Sequence, residues 1–203
     1  MADFPPCRLA TWAEIDRWAD ALAAKVRAAG RVPEVIVGLT RGGWVPARLL
    51  ADRLLVKRMG ALRAQHWGVT ATPTGKAEIT EGLSAPVAGS NVLVVDDITD
   101  TGESLELAVA HVRQRGPARV ESAAYLHISH SKYVPTYRAE EIPGDRWAWV
   151  VFPWTYWEDL ATLGGRAWAE AGSAAGAREL LRTRSGFEVP LQDIEAVRPS
   201  SAV

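Results

Sequence analysis

Val92-Leu93-Val94-Val95-Asp96-Asp97-Ile98-Thr99-Asp100-Thr101-Gly102-Glu103-Ser104 runs four apolar β-formers into two adjacent carboxylates, then a third carboxylate and a small, hydroxyl-rich turn. In open α/β sheets, ligands sit beyond the carboxyl ends of the strands. A strand over 92–95 therefore delivers Asp96 and Asp97 to that edge. The backbone N–H groups of 99–104 then point outward as a helix begins, which makes an anion site helped by the helix dipole. Thr99, Thr101 and Ser104 add hydroxyl donors, and Gly102 lets the backbone come close to a bound group. An ionised carboxylate only accepts hydrogen bonds, so Asp96 and Asp97 must face donors or a cation, such as sugar hydroxyls or Mg²⁺.

Working outward, 34–38 reads as a short strand, and Leu39-Thr40-Arg41-Gly42-Gly43 is a turn leading into a helix from Trp44 to about Lys57. Two glycines beside an arginine form a second, smaller anion site from backbone N–H groups and one fixed positive charge. Upstream, Thr11-Trp12-Ala13-Glu14 reads as a capping box, followed at helical spacing by Ile15, Trp18, Ala19, Leu22 and Val26. Further strands are expected over 61–67, 119–128 and 147–152, and a helix over 102–115 ends at Gly116-Pro117. The stretch 68–86 holds a weak hairpin at best, and 129–145 reads as irregular. Strands alternating with helices predict an α/β fold with a mainly parallel sheet flanked by helices. The expected organisation is one domain over 1–203, with a core at about 11–160. The Ala/Gly-rich extension over 161–203 is partly helical and has no assigned role, and its last residues are expected to be disordered.

Bulk properties narrow the classes. The 203 residues carry a net charge of -1, which gives no electrostatic reason to expect nucleic acid as a partner. No apolar run approaches the roughly 20 residues of a membrane span. The N-terminus lacks the basic and apolar regions of a secretory signal, so a cytoplasmic location and no membrane partner are expected. Cys7 is the only cysteine, which excludes an intrachain disulfide and a cysteine-based metal cage. Tryptophan is unusually frequent, nine against three Phe, and four of the nine fall between 147 and 157.

The stretch 92–104 resembles the phosphoribosyl-pyrophosphate (PRPP) motif of type I phosphoribosyltransferases. The resemblance implies that fold, with a small hood region and a flexible loop. It implies that Asp96 and Asp97 bind the ribose hydroxyls directly or through Mg²⁺, and that Thr99, Thr101, Gly102, Glu103 and Ser104 belong to the ribose and 5′-phosphate site. Asp100 falls where purine enzymes of the family keep a general acid/base. Thr40, Arg41, Gly42 and Gly43 fall where the family binds pyrophosphate. The stretch 68–82 falls where the family keeps a mobile hood, with Lys76 as a candidate for phosphate charge and His66 and Trp67 at its root.

The segment Asp145-Arg146-Trp147-Ala148-Trp149-Val150-Val151-Phe152-Pro153-Trp154 is crowded with indole. An indole face can stack on a heterocyclic base for roughly 1–3 kcal/mol, by analogy with base–aromatic stacking, and core packing competes for each ring. The spacing is similar to that of bacterial xanthine–guanine enzymes, which implies Trp149 as the stacking ring, Val150 as a backbone reader and Trp154 as a further base contact. Glu158 or Asp159 would ligate a second Mg²⁺ or read an exocyclic amine. Purine enzymes of the family usually carry a Lys just after the preceding strand. Here Lys132 lies slightly late, and His127 or His130 could substitute.

The expected activity is Mg²⁺-dependent transfer of phosphoribose from PRPP to hypoxanthine, guanine or xanthine in purine salvage, giving the nucleotide and pyrophosphate. A homo-oligomer, dimer or tetramer, is expected with it. Two alternatives are a transferase for another heterocyclic base and a PRPP-binding regulatory protein without catalysis.

Overall fold

Strand β5, Asn91–Thr99, starts at an exposed Asn91 and buries Val92, Leu93, Val94 and Val95, each at most 2% exposed. The computed structural model describes residues 4–66 and 77–198. Apolar residues on both sides of a strand demand cover on both faces, which places β5 inside a parallel sheet. Its neighbours on either side are β2 (Val35–Thr40) and β6 (Arg119–Ile128), both parallel to it. The sheet has six strands in the order β4-β3-β2-β5-β6-β7. β3 is Arg58–His66, β4 is Ala77–Glu81 and β7 is Tyr137–Ile142. All pairs are parallel except β3 with β4.

Three helices serve this sheet. Helix α1, Trp12–Ala28, buries Ile15, Trp18, Ala19, Leu22, Ala23 and Val26 along one stripe, as its periodicity predicts. Helix α2, Trp44–Leu54, follows β2 and ends at Leu55, which adopts the left-handed conformation at φ 59°. Helix α3, Glu103–Arg113, follows β5 and packs Leu105, Ala108, Val109 and Val112 with Val35, Val37, Val92 and Val94. Fully burying a leucine or valine side chain contributes roughly 1.5–3 kcal/mol, so this seam fixes where β5 hands over to α3.

The chain divides into two compact units, Ala13–Arg146 and a second made of Met1–Trp12 with Trp147–Val203. The six-stranded sheet belongs to the first. In the second, β1 (Cys7–Leu9) pairs in parallel with β8 (Trp149–Val151), in the register Cys7↔Trp149, Arg8↔Val150 and Leu9↔Val151. Helices α4 (Tyr156–Ala171), α5 (Ala174–Ser185) and α6 (Leu191–Ala196) supply its core with Leu160, Leu163, Ala167, Leu181 and Ile194 around Phe4, Val151 and Phe187. Thus much of 161–203 is ordered helix with a hydrophobic core of its own.

Three expectations are corrected. The segment 129–145 holds β7, whose Arg138, Glu140 and Glu141 hide the pattern because an edge strand keeps charge on its open side. The stretch 68–86 contains β4, paired with β3 as a hairpin arm. The strand expected over 147–152 is only Trp149–Val151, preceded by a 3₁₀ turn at Gly144–Arg146, and it lies outside the six-stranded sheet. Trp67 and Lys76 lie outside the described residues, as does the His66 side chain.

Candidate active site

The two sequence motifs meet at two glycines. A Cβ on Gly42 would overlap Asp97 Oδ2 and lie 2.7 Å from Asp97 Cγ. A Cβ on Gly43 would collide with Val95 O and lie 2.8 Å from Asp96 Cα. The turn after β2 is therefore pressed onto the end of β5 at a distance that only glycine permits. Gly43 N donates to Leu39 O at 2.8 Å and Trp44 N to Arg41 O at 3.2 Å, so the turn folds back on itself before α2 starts. The Thr40–Arg41 peptide is cis. Arg41 is exposed, and the Thr40 hydroxyl donates to Leu62 O at 3.2 Å, toward β3.

Asp96 and Asp97 close β5. Asp96 Oδ1 accepts from Asp97 N at 3.0 Å, and Asp97 Oδ1 accepts from Ile98 N at 2.9 Å. Asp97 is 8% exposed. Burial, and then the neighbouring Asp97 charge, push the Asp96 carboxyl well above the usual carboxylate range. Such a pair is relieved by a cation or by hydroxyl donors, so the residues present fit Mg²⁺, a sugar diol or both.

Past the carboxylates, Thr99 ends the strand with its side chain buried. Its Oγ1 lies 2.8 Å from His127 Nδ1 and 3.4 Å from Leu126 O. This corrects one expectation, because the Thr99 hydroxyl is committed to β6 and only its backbone remains for a ligand. Burial, and then the Arg138 charge, hold His127 below its ordinary value. Gly102 caps α3 in the left-handed region at φ 86°. The first intrahelical bond runs from Glu106 N to Gly102 O at 3.0 Å, so the N–H groups of 103–105 lie outside the helix ladder. Glu103 N reaches Thr101 Oγ1 at 3.4 Å. A helix start of this kind can receive an anion, and here Thr101 is exposed on it and Ser104 half-buried.

The loop after β6 comes to the same turn. Lys132 N donates to Thr101 O at 3.1 Å, and a Cβ on Gly102 would meet Ser131 Oγ at 2.5 Å and Tyr133 Cβ at 2.7 Å. Lys132 is exposed beside the turn despite its late position in the sequence. His130 Nε2 lies 2.7 Å from Asp100 Oδ1, a contact that the sequence reading missed. The parallel β5/β6 register, Thr99↔His127, is the signal that could have found it, since it brings the residues after both strands to one edge.

The tryptophan-rich segment lies in the other unit. Trp149 Nε1 donates to Asp159 Oδ1 at 3.0 Å, and Thr155 Oγ1 donates to Asp159 Oδ2 at 2.6 Å. Asp159 is 3% exposed. Both of its oxygens thus serve the interior of this unit, which favours a structural role over the metal role expected for it. Trp154 stacks on Phe152, with centroids 4.9 Å apart and planes at 10°, and meets the edge of Trp12 at 6.0 Å. Trp149 N donates to Pro6 O and Ala10 N donates to Val151 O, both toward β1. Alternation in a strand then turns the N–H and C=O of Val150 to the opposite edge, where no further strand pairs among the described residues. Glu158 is exposed in the first turn of α4.

A parallel sheet ends in paired carboxylates beside a glycine-only turn and an exposed helix start, which is the α/β arrangement of the chain. Residues 9–159 match the family model described as the phosphoribosyl transferase domain. The chain belongs to that family and is a phosphoribosyltransferase. It is 30% identical to the xanthine-guanine phosphoribosyltransferase of Cereibacter sphaeroides over 156 residues, 71% of this chain and 84% of that one. Among solved structures it is similar to a purine phosphoribosyltransferase from Pyrococcus horikoshii, at TM-score 0.62 and 29% identity, covering 73% of this chain and 93% of that one. The fold is also that of the Helicobacter pylori xanthine-guanine-hypoxanthine enzyme, at TM-score 0.61 and 22% identity, with 77% and 99% covered. No helix of the described residues is long and apolar enough to cross a membrane.

Proposed function

We propose that this protein transfers the 5-phosphoribosyl group of PRPP to a purine base, namely guanine, hypoxanthine or xanthine, in the cytoplasm as part of purine salvage. The observation that carries the reading is the seating of Gly42 and Gly43 on Asp97 and Asp96. It supports reading residues 40–43 as the pyrophosphate loop, Asp96 and Asp97 as the ribose pair and 99–104 as the 5′-phosphate turn of one site. The xanthine-guanine enzyme of Cereibacter and the purine enzyme of Pyrococcus support purine as the acceptor.

In this reading the exposed helix start at 101–104 takes the 5′-phosphate, while Asp96 and Asp97 fix the ribose. Arg41 and the amide of Gly42 stabilise the charge that grows on pyrophosphate as it leaves C1′, while Gly43, its own N–H spent on Leu39 O, lets the loop sit against Asp96. The purine N9 forms the new bond to C1′, and Asp100 accepts the proton that the base gives up from its ring. The family generally uses Mg²⁺. Asp96 and Asp97 would hold it, and when bound it neutralises leaving-group charge. Trp149, Val150, Trp154 and Lys132 are the proposed base contacts. The position of Lys132 against Thr101 supports one of them, and the absence of a further strand beside Val150 among the described residues is compatible with another.

The test is direct. Incubation with PRPP, Mg²⁺ and guanine, hypoxanthine, xanthine or adenine should yield a nucleoside 5′-monophosphate with at least one 6-oxopurine. Product with orotate or uracil alone moves the assignment to another base. Binding of PRPP with no product from any base replaces it with a regulatory role.

A further inference from the structure

We propose that His130 is a positioning residue for Asp100, holding its carboxylate for proton exchange with the base. The proposal rests on the role given to Asp100 above. β5 and β6 run in parallel register to their ends, so the residues following Thr99 and Ile128 emerge at one edge. The loop after β6 then grips three successive residues of the turn after β5. His130 takes Asp100, Lys132 N takes the carbonyl of Thr101, and Ser131 with Tyr133 fills the space beside Gly102. The loop is itself braced, by Ser131 N on Ile128 O at 2.9 Å and Ser131 Oγ on Tyr133 O at 3.0 Å.

The His130 ring is held from its other side as well. A Cβ on Gly144 would come within 3.1 Å of His130 Nδ1, and Gly144 N is tied to Ser129 Oγ at 2.9 Å. The imidazole therefore lies between Gly144 and Asp100. An ionised carboxylate has no proton to give, so Nε2 carries the hydrogen in this 2.7 Å contact. Rotation about the last bond of an aspartate is otherwise broad. Fixing Oδ1 leaves Oδ2 to act on substrate. Asp100 and His130 remain 42% and 47% exposed, so the pair is open to an incoming base rather than buried as a strut.

The proton balance is simple. N9 of the base gives its lone pair to C1′ as the C1′–oxygen bond to pyrophosphate breaks and its electron pair leaves with pyrophosphate. The surplus ring proton passes to Asp100 Oδ2. His130 keeps its own proton throughout and transfers none. It acts through Asp100 alone, which separates it from a base-reading residue.

The experiment is a double-mutant cycle, with PRPP, Mg²⁺ and whichever 6-oxopurine wild type accepts. His130→Ala should lower kcat by roughly 10- to 100-fold, since small misplacements of a reacting group cost that much. The KM for PRPP should stay within about twofold, because no PRPP contact is lost. His130→Gln keeps an N–H donor and should recover most of the rate. In an Asp100→Asn background, His130→Ala should cause no further loss. Wild-type turnover in His130→Ala, or an undiminished loss in the Asp100→Asn background, overturns the proposal. Failure of wild type with every base would instead overturn the purine-transfer reading. In that case ¹⁵N spectra of the imidazole still decide: His130 should be protonated at Nε2, with a signal that moves in Asp100→Asn. An unmoved signal overturns the proposal.

Discussion

The turn that opens α3 and the short strand β8 hold ligand candidates in opposite ways. At the turn the work is done by backbone and by missing atoms. Gly42, Gly43 and Gly102 each touch a neighbour where a Cβ would collide, and the N–H groups of 103–105 are left over from the helix ladder. At β8 it is done by large side chains that already have partners: Trp149 with Asp159, and Trp154 with Phe152. A site made of backbone geometry leaves little freedom in sequence, because only glycine and small hydroxyl residues satisfy it. A site made of aromatic side chains looks the same in sequence as a hydrophobic core.

The largest effect should come from the turn. Asp100→Asn should cut kcat by roughly 10²–10⁴, the usual scale of general acid/base catalysis, with PRPP affinity unchanged by calorimetry. Near-normal turnover would mean that the turn only binds. The β8 side should answer differently. Asp159→Ala removes the acceptor for Trp149 Nε1 and Thr155 Oγ1, and should cost about 1–3 kcal/mol in urea unfolding, the scale of a buried polar group left unpaired. The Mg²⁺ concentration needed for half-maximal transfer should not change. A rise in that concentration with intact stability would return Asp159 to the metal site and erase the contrast between the two regions.

The smallest effect concerns His127, beneath the turn. Burial holds its folded value below the ordinary value of about 6.5, so the folded state binds this proton less readily than the unfolded chain. The stability this gives is present above about pH 6.5 and is lost as pH falls through the folded value. The wild-type melting temperature should therefore drop more steeply between pH 7 and pH 5 than that of His127→Gln. Parallel curves would mean that His127 titrates as it does in the unfolded chain.

The same contrast explains what could be read before the structure. The parallel sheet, α1 and α3 follow from local pattern, because a strand–turn–helix unit carries its own address in consecutive residues, whereas the joining of residues 40–43 with 96–104 in one site is implied only by the family resemblance. β7 escaped because Arg138, Glu140 and Glu141 break its apolar pattern, and β1 because three residues are too few to show a period. The commitment of the Thr99 hydroxyl to His127, the burial of Asp159 and the contact of His130 with Asp100 are pairings across 28, 10 and 30 positions. Composition and spacing do not encode such pairings. They appear only once the strands are in register.

In the proposed function, residues 40–43 and 96–104 form one PRPP site whose closeness only glycine allows. Calorimetric titration of Mg²⁺ and PRPP into wild type and Gly42→Ala, without any base, tests it. Wild type should bind saturably, and a folded variant whose new methyl displaces Asp97 should lose roughly tenfold or more in affinity. Equal affinity in the two proteins, or no binding by wild type, would contradict it.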